Sequence, residues 1–431
     1  MTGNLFSKID QGANMKKVIT CAICLLGILA VTFNPALGSG LSNARAIGMA
    51  GAYSSLARGF DCPYFNPANL GIEGKKNNGF QLVGVGAAIS NNSFSLDDYN
   101  KYTGATLSEG DKATLLSKIP AEGLKVSADV EASALSFGFG NIAISFSGYG
   151  AAEISISHAV AELLLNGNTL NDTLTLNGTY GEGFGVASAN FSYGRRLYHK
   201  GDRQLAAGLT FKYVKGFGYE EITHLNGEAV TLATGFEGSG SIVSRTALGG
   251  SGYAVDLGGS LKLNNSYTVG VTVFNILNNI SWNKDTEEHR YSFEFDTLTV
   301  TNMSKDDIIT SSDTTVAIPN FSTKLPSKIR FGFAKTTGSL LWAVEWEQGF
   351  KKAAGSSSRP RITSGAEYHL LSFLPIRAGF GIGGKRGVTY AGGLGINASA
   401  VFLDFAIASY NAISGASGKG LNFALNMGFR I

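Results

Sequence analysis

The stretch GYAVDLGGSLKLNNSYTVGVTVFNI, residues 252–276, decides the fold because large apolar residues alternate in it with small or polar ones. Successive side chains of an extended strand leave opposite faces, so this alternation predicts strands with two unlike faces. The apolar face carries Tyr253, Val255, Leu257, Leu261 and Leu263, and the opposite face carries Ala254, Asp256, Gly258, Ser260 and Lys262. Asn264 and Asn265 mark a tight turn between two strands.

The same alternation recurs along most of the chain. Many of these segments approach the roughly 9–11 residues that a tilted strand needs to cross a bilayer. We count fourteen to fifteen candidate strands, at residues 80–89, 134–139, 141–150, 184–193, 205–214, 252–276 (two strands), 291–295, 329–333, 340–347, 362–368, 376–382, 388–396, 401–407 and 421–431.

Composition separates the two classes of protein that such strands build. Only 16% of the 431 residues are charged, against about 25% in typical soluble domains, and 57 are glycine. In a secreted sandwich or adhesin the second face meets water and carries many charges, whereas here it is mostly Gly, Ala, Ser, Thr and Asn. Such residues suit the interior of a barrel whose outside meets lipid. We therefore predict an all-β fold, an antiparallel transmembrane β-barrel of about fourteen strands.

The N-terminal residues predict export. Lys16 and Lys17 precede an apolar run at residues 18–33, and Ala36-Leu37-Gly38 has the small-x-small pattern of a cleavage site. Residues 15–38 are therefore expected to be a signal peptide, with 1–14 an upstream extension if translation starts at Met15. An exported chain with barrel strands is expected in the outer membrane of a Gram-negative-type envelope.

Long polar segments separate some of the candidate strands. They lie at residues 91–131, 152–182, 218–250 and 279–327 and are expected to be loops on one side of the barrel, opposite tight turns on the other. Within the first, residues 111–125 predict a short amphipathic helix broken at Pro120, whose apolar residues either cap the barrel mouth or pack on loop neighbours.

Neither composition nor motifs indicate an enzyme, a metal or a cofactor. The formal net charge is +3 with no Lys/Arg run longer than two, so no nucleic-acid partner is expected. The five histidines lack metal-ligand spacing. The run GFGIGGK, residues 379–385, satisfies G-x-G-x-x-G, but Arg386 follows where a phosphate-binding loop has Ser or Thr. Alternating glycines on a lumen-facing strand explain this run better.

Single charges on the small-residue faces are the candidate lumen residues. By alternation Asp256, Arg330, Glu345, Arg377 and Asp404 face the barrel interior, and so do Lys262, Glu347 and Arg430. Ionised groups are costly away from water unless they are paired. These charges are therefore expected to pair with each other or with backbone of the plug, or to line a polar path through the lumen.

Residues 41–71 do not alternate and are rich in small residues, which suits a compact segment that fits inside a barrel. The runs ARAIGMAGAY and FNPANLG in this segment resemble the N-terminal hatch of the long-chain fatty-acid transporter (FadL-like) superfamily. Gly48, Gly51, Ala52 and Tyr53 match the small-residue part, and Asn66, Pro67 and Ala68 match an Asn-Pro-Ala motif. LPSKIRFGFA and LDFAIA, residues 325–334 and 403–408, are similar to PorV-like paralogues that serve type IX secretion.

The resemblance implies a hatch at residues 39–75 that plugs a fourteen-stranded barrel at 76–431. Gly48, Gly51, Tyr53, Asn66, Pro67 and Ala68 are then the hatch or gating residues. A hydrophobic small molecule would be captured at the loops and released sideways through the wall into outer-membrane lipids. The PorV-like paralogues imply an alternative, a barrel that receives exported proteins of a secretion system.

Overall fold

A closed ring of fourteen antiparallel strands forms the barrel, in a computed structural model that describes residues 40–72, 78–167, 169–299 and 309–430. The strands are β1 (Gly79–Asn91), β2 (Leu124–Phe139), β3 (Ile142–Ile156), β4 (Thr173–Thr175), β5 (Tyr180–Lys200), β6 (Arg203–Leu232), β7 (Gly235–Ala247), β8 (Gly249–Lys262), β9 (Tyr267–Lys284), β10 (Glu287–Leu298), β11 (Ile309–Ala317), β12 (Phe321–Thr323), β13 (Lys328–Thr337), β14 (Leu340–Gly349), β15 (Arg361–Leu371), β16 (Leu374–Gly383), β17 (Thr389–Ala398), β18 (Val401–Tyr410) and β19 (Gly420–Arg430).

The ring follows chain order with five strands left out. It runs β1-β2-β3-β5-β6-β8-β9-β13-β14-β15-β16-β17-β18-β19, and β19 pairs back onto β1. The predicted fold class, an all-β barrel of about fourteen strands, is confirmed. The upstream extension 1–14 and the signal peptide 15–38 lie outside the described residues, as do residues 39 and 73–75 of the predicted hatch.

Helices are short and lie before the barrel or in its connections. They are α1 (Ala44–Gly48), α2 (Cys62–Phe65), α3 (Leu96–Tyr102), α4 (Glu109–Ser117) and α5 (His158–Asn166), with 3-10 turns at Gly59–Asp61 and Pro67–Gly71. Within the described ranges, none of these helices has the length and apolar character needed to span a membrane.

Side-chain alternation distributes apolar residues outward and small or polar residues inward. Tyr253 and Leu257 are 46% and 43% exposed on the outer face of β8, whereas Ala254 and Asp256 between them are fully buried. This distribution of side chains is the reverse of that in a soluble protein, and it follows from a wall whose outer face meets hydrocarbon.

Connections differ between the two ends of the barrel. At one end the strands join through turns of a few residues, such as Gly140-Asn141 and Gly338-Ser339. The other end, here called the long-connection end, carries α3, α4 and α5. Pro120 follows α4, and Leu115 of that helix is buried; Ile119 packs against Leu124 and Ala161, so this segment packs on loop neighbours.

The expectation that residues 91–131, 152–182, 218–250 and 279–327 are wholly loops is wrong. β2 begins at Leu124, β3 continues to Ile156, and β6 is 30 residues long and ends at Leu232. The start of β2 and the end of β3 do alternate, as Val130 outside and Glu131 inside show, so their charged residues were mistaken for loop residues. The far half of β6 has no such continuous alternation.

Four strands outside the ring extend the sheet at the long-connection end. β4 and β7 pair with the far half of β6, β10 pairs with β7, and β11 pairs with β10; this sheet is called the extension. Residues 291–295 were expected to be a barrel strand, which is wrong, since they belong to β10. Their alternation arises in an amphipathic sheet outside the ring.

Candidate functional site

Residues 40–72, here called the plug, fill the lumen. Almost all of them are buried, α1 packs against β16 to β19, and the 3-10 turn Pro67–Gly71 packs against β5, β6 and β8. Glycines in the wall permit this approach: a Cβ at Gly194 would lie 2.6 Å from the Pro67 carbonyl oxygen, and one at Gly365 would lie 2.5 Å from Met49. The small residues of both partners therefore allow backbone to lie against backbone.

The Asn-Pro-Ala motif connects the plug to β8. The Oδ1 atom of Asn66 accepts from the Ala68 N–H at 3.0 Å, and its Nδ2 donates to the Gly259 carbonyl at 3.0 Å. Pro67 opens the 3-10 turn, where its fixed φ and missing N–H cost nothing. Asn66 and Ala68 are fully buried, so Asn66 both caps the turn and bonds the turn to the wall.

The other three predicted hatch residues lie near β15 to β17 or bond within the plug. A Cβ at Gly48 would lie 3.2 Å from both Arg377 Cβ and Gly393 Cα, so the site leaves little room for a side chain. Gly51 has φ +94°, a conformation that favours glycine. Tyr53 is 1% exposed and donates to Asp61 Oδ2 at 2.8 Å. Burial raises the pKa of the Tyr53 hydroxyl and of the Asp61 carboxyl.

Arg377 and Asp404 belong to a buried chain of charges that crosses from the wall to the plug. Glu367 on β15 binds Arg45 of α1 with two hydrogen bonds of 2.7 and 2.8 Å, and accepts from Arg377 Nε at 2.7 Å. Arg377 Nη1 lies 2.7 Å from Asp404, which is 3.5 Å from Arg430. The bidentate Arg45–Glu367 pair makes Glu367 the centre of this chain.

Arg330 and Glu345 form a second group against the plug. Arg330 Nε lies 2.6 Å from Glu347 and 3.3 Å from Glu345, and the other Glu345 oxygen accepts from the Ser54 N–H at 2.9 Å. Asp256 lies apart in the wall, where it pairs with Lys212 at 2.7 Å and accepts from the Asn275 N–H at 2.8 Å. Seven of the eight charges predicted to face the lumen are therefore paired, and two of the three groups reach the plug. Lys262 has no carboxylate within 4.0 Å among the described residues.

Three charged residues that join the plug to the wall were missed from sequence. Glu367 falls on the inner face by the same alternation that places Ile362 outside, so the pattern could have found it. Glu131, which accepts from Leu41 N–H at 2.9 Å and from Ser42 Oγ at 2.8 Å, lies in a segment expected to be a loop. Arg45 lies in the plug, where no periodicity indicates which residues face the wall.

The ladder between β9 and β13 is interrupted, and we call residues 275–279 with 324–327 the seam. Backbone pairing of β9 with β13 ends at Phe274 and Lys328 and resumes with β12 at Ile280. Side chains bridge the interval: Asn275 Nδ2 donates to the Pro326 carbonyl at 2.9 Å, and Asn278 Oδ1 accepts from the Leu325 N–H at 2.6 Å. Opposite Asp256 of β8, β9 carries an insertion in which Asn275 has φ +53°.

An apolar cluster lies inside the barrel beside the seam. The Tyr219 ring centroid is 5.4 Å from that of Trp282 and 5.7 Å from that of Phe321, and Leu325 of the seam packs in the same cluster. Trp282 is fully buried and donates to Thr323 Oγ1 at 2.8 Å. In the part of the chain that the structure describes, no group of three or more His, Cys, Asp and Glu is placed to hold a metal.

These features define a plugged fourteen-stranded membrane barrel with a charged, occluded lumen. Among solved structures, the toluene transporter TbuX of Ralstonia pickettii is similar over 92% of this chain and 99% of its own, with 14% identity and a TM-score of 0.50. The toluene transporter TodX of P. putida is similar over 91% and 99%, with 11% identity and a TM-score of 0.52. The fold implied by the resemblance to FadL-like barrels is thereby confirmed.

Sequence comparison is less informative. Residues 73–242 match the family DUF5723, described as a family of unknown function. No curated protein matches the chain.

Substitution of Glu367 by Gln should loosen the plug. The variant leaves Arg45 and Arg377 buried without their shared carboxylate, and breaking a buried pair in this way costs about 3–5 kcal/mol of the free energy of unfolding. Denaturant unfolding from lipid vesicles measures that loss, and hydrogen exchange at residues 44–48 should accelerate. Glu294→Gln on the exposed face of β10 is the control and should change stability by less than about 0.5 kcal/mol. Equal stability of the two variants would contradict the role given to Glu367.

Proposed function

We propose that this protein is an outer-membrane barrel for the passive uptake of hydrophobic small molecules, such as long-chain fatty acids or similar compounds. The observation that carries the proposal is a lumen occluded by a plug whose described hydrogen bonds to the wall involve side chains, such as Asn66 and Arg45, rather than strand pairing. TbuX and TodX, described as toluene transporters, share the fold and support a transport role. The signal-peptide pattern in residues 15–38 supports export.

The proposed route starts at the long-connection end and leaves through the wall. The apolar cluster of Tyr219, Trp282 and Phe321 is buried at that end, and a ligand that displaces its side chains enters apolar surroundings. The seam adjoins this cluster through Leu325, and its outer side carries Ile276 and Leu277, which are 45% and 63% exposed. A ligand that crosses at the seam passes from apolar side chains to lipid without entering water. Fewer backbone hydrogen bonds between β9 and β13 need to break at the seam than elsewhere along these two strands.

Asn66→Ala tests the role of the plug. The variant loses the cap of the 3-10 turn and the bond to Gly259, so the turn should detach from β8 and uptake should rise. Uptake of labelled fatty acids or aromatics by whole cells is the measurement. Asn190→Ala is the matched control, because Asn190 is equally buried but bonds to Ser145 and Ser147 of the wall. If uptake by the Asn66 variant equals that of the unaltered protein, the plug does not gate transport.

Asn275→Gly tests the seam. Glycine keeps the left-handed backbone conformation but removes the bridge to Pro326 and the contact with Lys212. We expect faster hydrogen exchange at residues 275–279 and a higher uptake rate. Asn264→Gly, in the short turn between β8 and β9, makes the same chemical change at the other end of the barrel and should leave uptake unchanged. Faster exchange without any change in uptake would reject the seam as the exit.

A second candidate function is the reception of exported proteins by a secretion-associated barrel. Two features of the extension favour this function. β10 carries a row of aromatic rings, in which Tyr291 is 41% exposed. β11 has one free edge among the described strands, because it pairs with β10 on its other edge. Affinity isolation from detergent-solubilised membranes should then recover a stoichiometric protein that Tyr291→Ala loses. Tyr253→Ala, on the lipid face, should retain it. Only ligand uptake, with no stoichiometric protein, would favour the first function.

A further inference from the structure

The hairpin that joins β5 to β6, at the end of the barrel with short turns, carries an excess of positive charge. Residues 195–203 are here called the basic hairpin. Its charged residues are Arg195, Arg196, Lys200, Asp202 and Arg203. Five of these nine residues are charged, against 16% of the whole chain, and their formal net charge of +3 equals that of all 431 residues. The nearly neutral chain therefore has a strongly basic surface at this end.

Strand register places three of these cations on the outer face of the wall. In β6, positions 204 and 206 are buried and positions 203, 205 and 207 are exposed, so the odd positions face outward. Across the ladder to β5, Arg203 pairs with Lys200 and Ala207 pairs with Arg195. Because paired residues share a face of the sheet, Arg195, Lys200 and Arg203 all face outward.

Arg195 lies between two rows of apolar side chains on this outer face. The row farther from the turn is Tyr193, Leu209 and Leu257, and the row nearer the turn is Tyr198, Leu205 and Leu261. In its own row Arg195 is followed by Ala207 and Gly259, so a shallow recess separates the two bulky rows. Arg195 is therefore a charge on a lipid-facing surface.

None of the three outward cations has a carboxylate within 4.0 Å among the described residues. A cation on the lipid face destabilises a barrel most at the membrane midplane and least at the interface, where its side chain reaches water and head groups. Arginine pairs with phosphate through two parallel N–H donors, and lysine pairs with it as a point charge. The outer face of the basic hairpin is therefore suited to a lipid phosphate.

We propose that the outer face of the basic hairpin binds the phosphate of an anionic phospholipid, with Arg195 and Arg203 as its main ligands. Arg203 lies four residues along β6 from the partner of Arg195, a separation of roughly 13 Å that two long side chains can span to meet at one phosphate. Tyr198 and Leu205, which lie between them, then contact the glycerol and the start of the acyl chains. A zwitterionic head group would add a further cation to a surface that has three, so net negative charge is favoured. The short turns of outer-membrane barrels face the periplasm, so the lipid belongs to the periplasmic leaflet.

Two observations favour a lipid over a soluble partner. The row of Arg195 continues around the lipid-facing wall with Val271 of β9 and Phe331 of β13. Farther around the same end, the Nζ atom of Lys335 lies 5.4 Å from the ring centroid of Tyr267, so a cation beside an apolar ring recurs at this interface. The inference requires the barrel to lie in a membrane, and it does not depend on what the barrel transports.

The test measures lipid binding by the purified full-length protein in a neutral detergent, by native mass spectrometry. The probes are phosphatidylglycerol and phosphatidylcholine with the same acyl chains, and the first should bind at least tenfold more tightly. Arg195→Gln and Arg203→Gln should each weaken binding of phosphatidylglycerol about fivefold, because a basic residue near an anionic lipid surface contributes roughly that factor. Arg359→Gln is the matched control and should leave binding within twofold. It removes an exposed arginine from the connection between β14 and β15, and this arginine also has no carboxylate within 4.0 Å among the described residues.

Equal affinity for the two lipids would overturn the proposal, as would an equal loss of binding in Arg359→Gln and Arg203→Gln. Inorganic phosphate at the same concentration should not displace phosphatidylglycerol, because it makes no contact with Tyr198 and Leu205. Displacement would identify a site for a free anion and reject the lipid. Unselective lipid binding, together with a stoichiometric acidic protein that Arg203→Gln loses in affinity isolation, would reject the lipid in favour of a protein. If the variants do not fold, hydrogen exchange at residues 195–203 of the unaltered protein gives the readout: phosphatidylglycerol should slow it more than phosphatidylcholine, and equal rates would reject the site.

Whole-cell uptake separates this inference from the proposed transport function. Selective binding of phosphatidylglycerol, with no uptake of labelled fatty acids or aromatics above that of cells lacking the protein, would reject transport and leave the lipid site standing. Uptake above that level, with no selective lipid binding, would reject the lipid site and leave transport standing.

Discussion

Satisfaction of every backbone hydrogen bond in an apolar surrounding is the constraint on which the rest of this structure depends. A wall of strands in hydrocarbon can have no free edge, so β19 must pair with β1. Closure fixes an inside and an outside, and the alternation of each strand then sends apolar residues to lipid and small or polar residues to the lumen. The lumen is wide enough to take a compact segment of chain, and residues 40–72 occupy it.

Charged side chains inside the lumen are stabilised by pairing with opposite charges. A lone buried carboxylate or guanidinium destabilises the folded state, so each charge in the lumen needs a partner. Glu367 lies between two arginines, Glu345 and Glu347 both contact Arg330, and Asp256 pairs with Lys212. Because Glu367 pairs with Arg45 of the plug and Glu345 accepts from the Ser54 N–H, the same interactions that neutralise the lumen also fix the position of the plug.

Sequence could predict the features that alternation or a motif encodes, and little beyond them. Tyr253 and Asp256 were assigned to the correct faces because strand geometry leaves no other choice, and Glu367 could have been assigned in the same way. Glu131 was missed because the charged residues before position 134 were assigned to a loop, although Val130 beside it lies on an alternating apolar face. Residues 291–295 were misassigned because an amphipathic sheet in water alternates like one in lipid. The seam depends on partners distant in sequence, such as Asn275 and Pro326, and no local pattern encodes them.

The contacts of α1 have a consequence for the order in which the protein is assembled. Ala44 N–H bonds to Asn426 on the last strand, 382 positions later, and Arg45 bonds to a carboxylate on β15. The surface against which α1 packs is complete only after β19 has paired with β1. The plug precedes the barrel strands in sequence but is consequently among the last segments to reach its native position. Until the barrel has closed, its thirty or so residues have no complete surface to pack against.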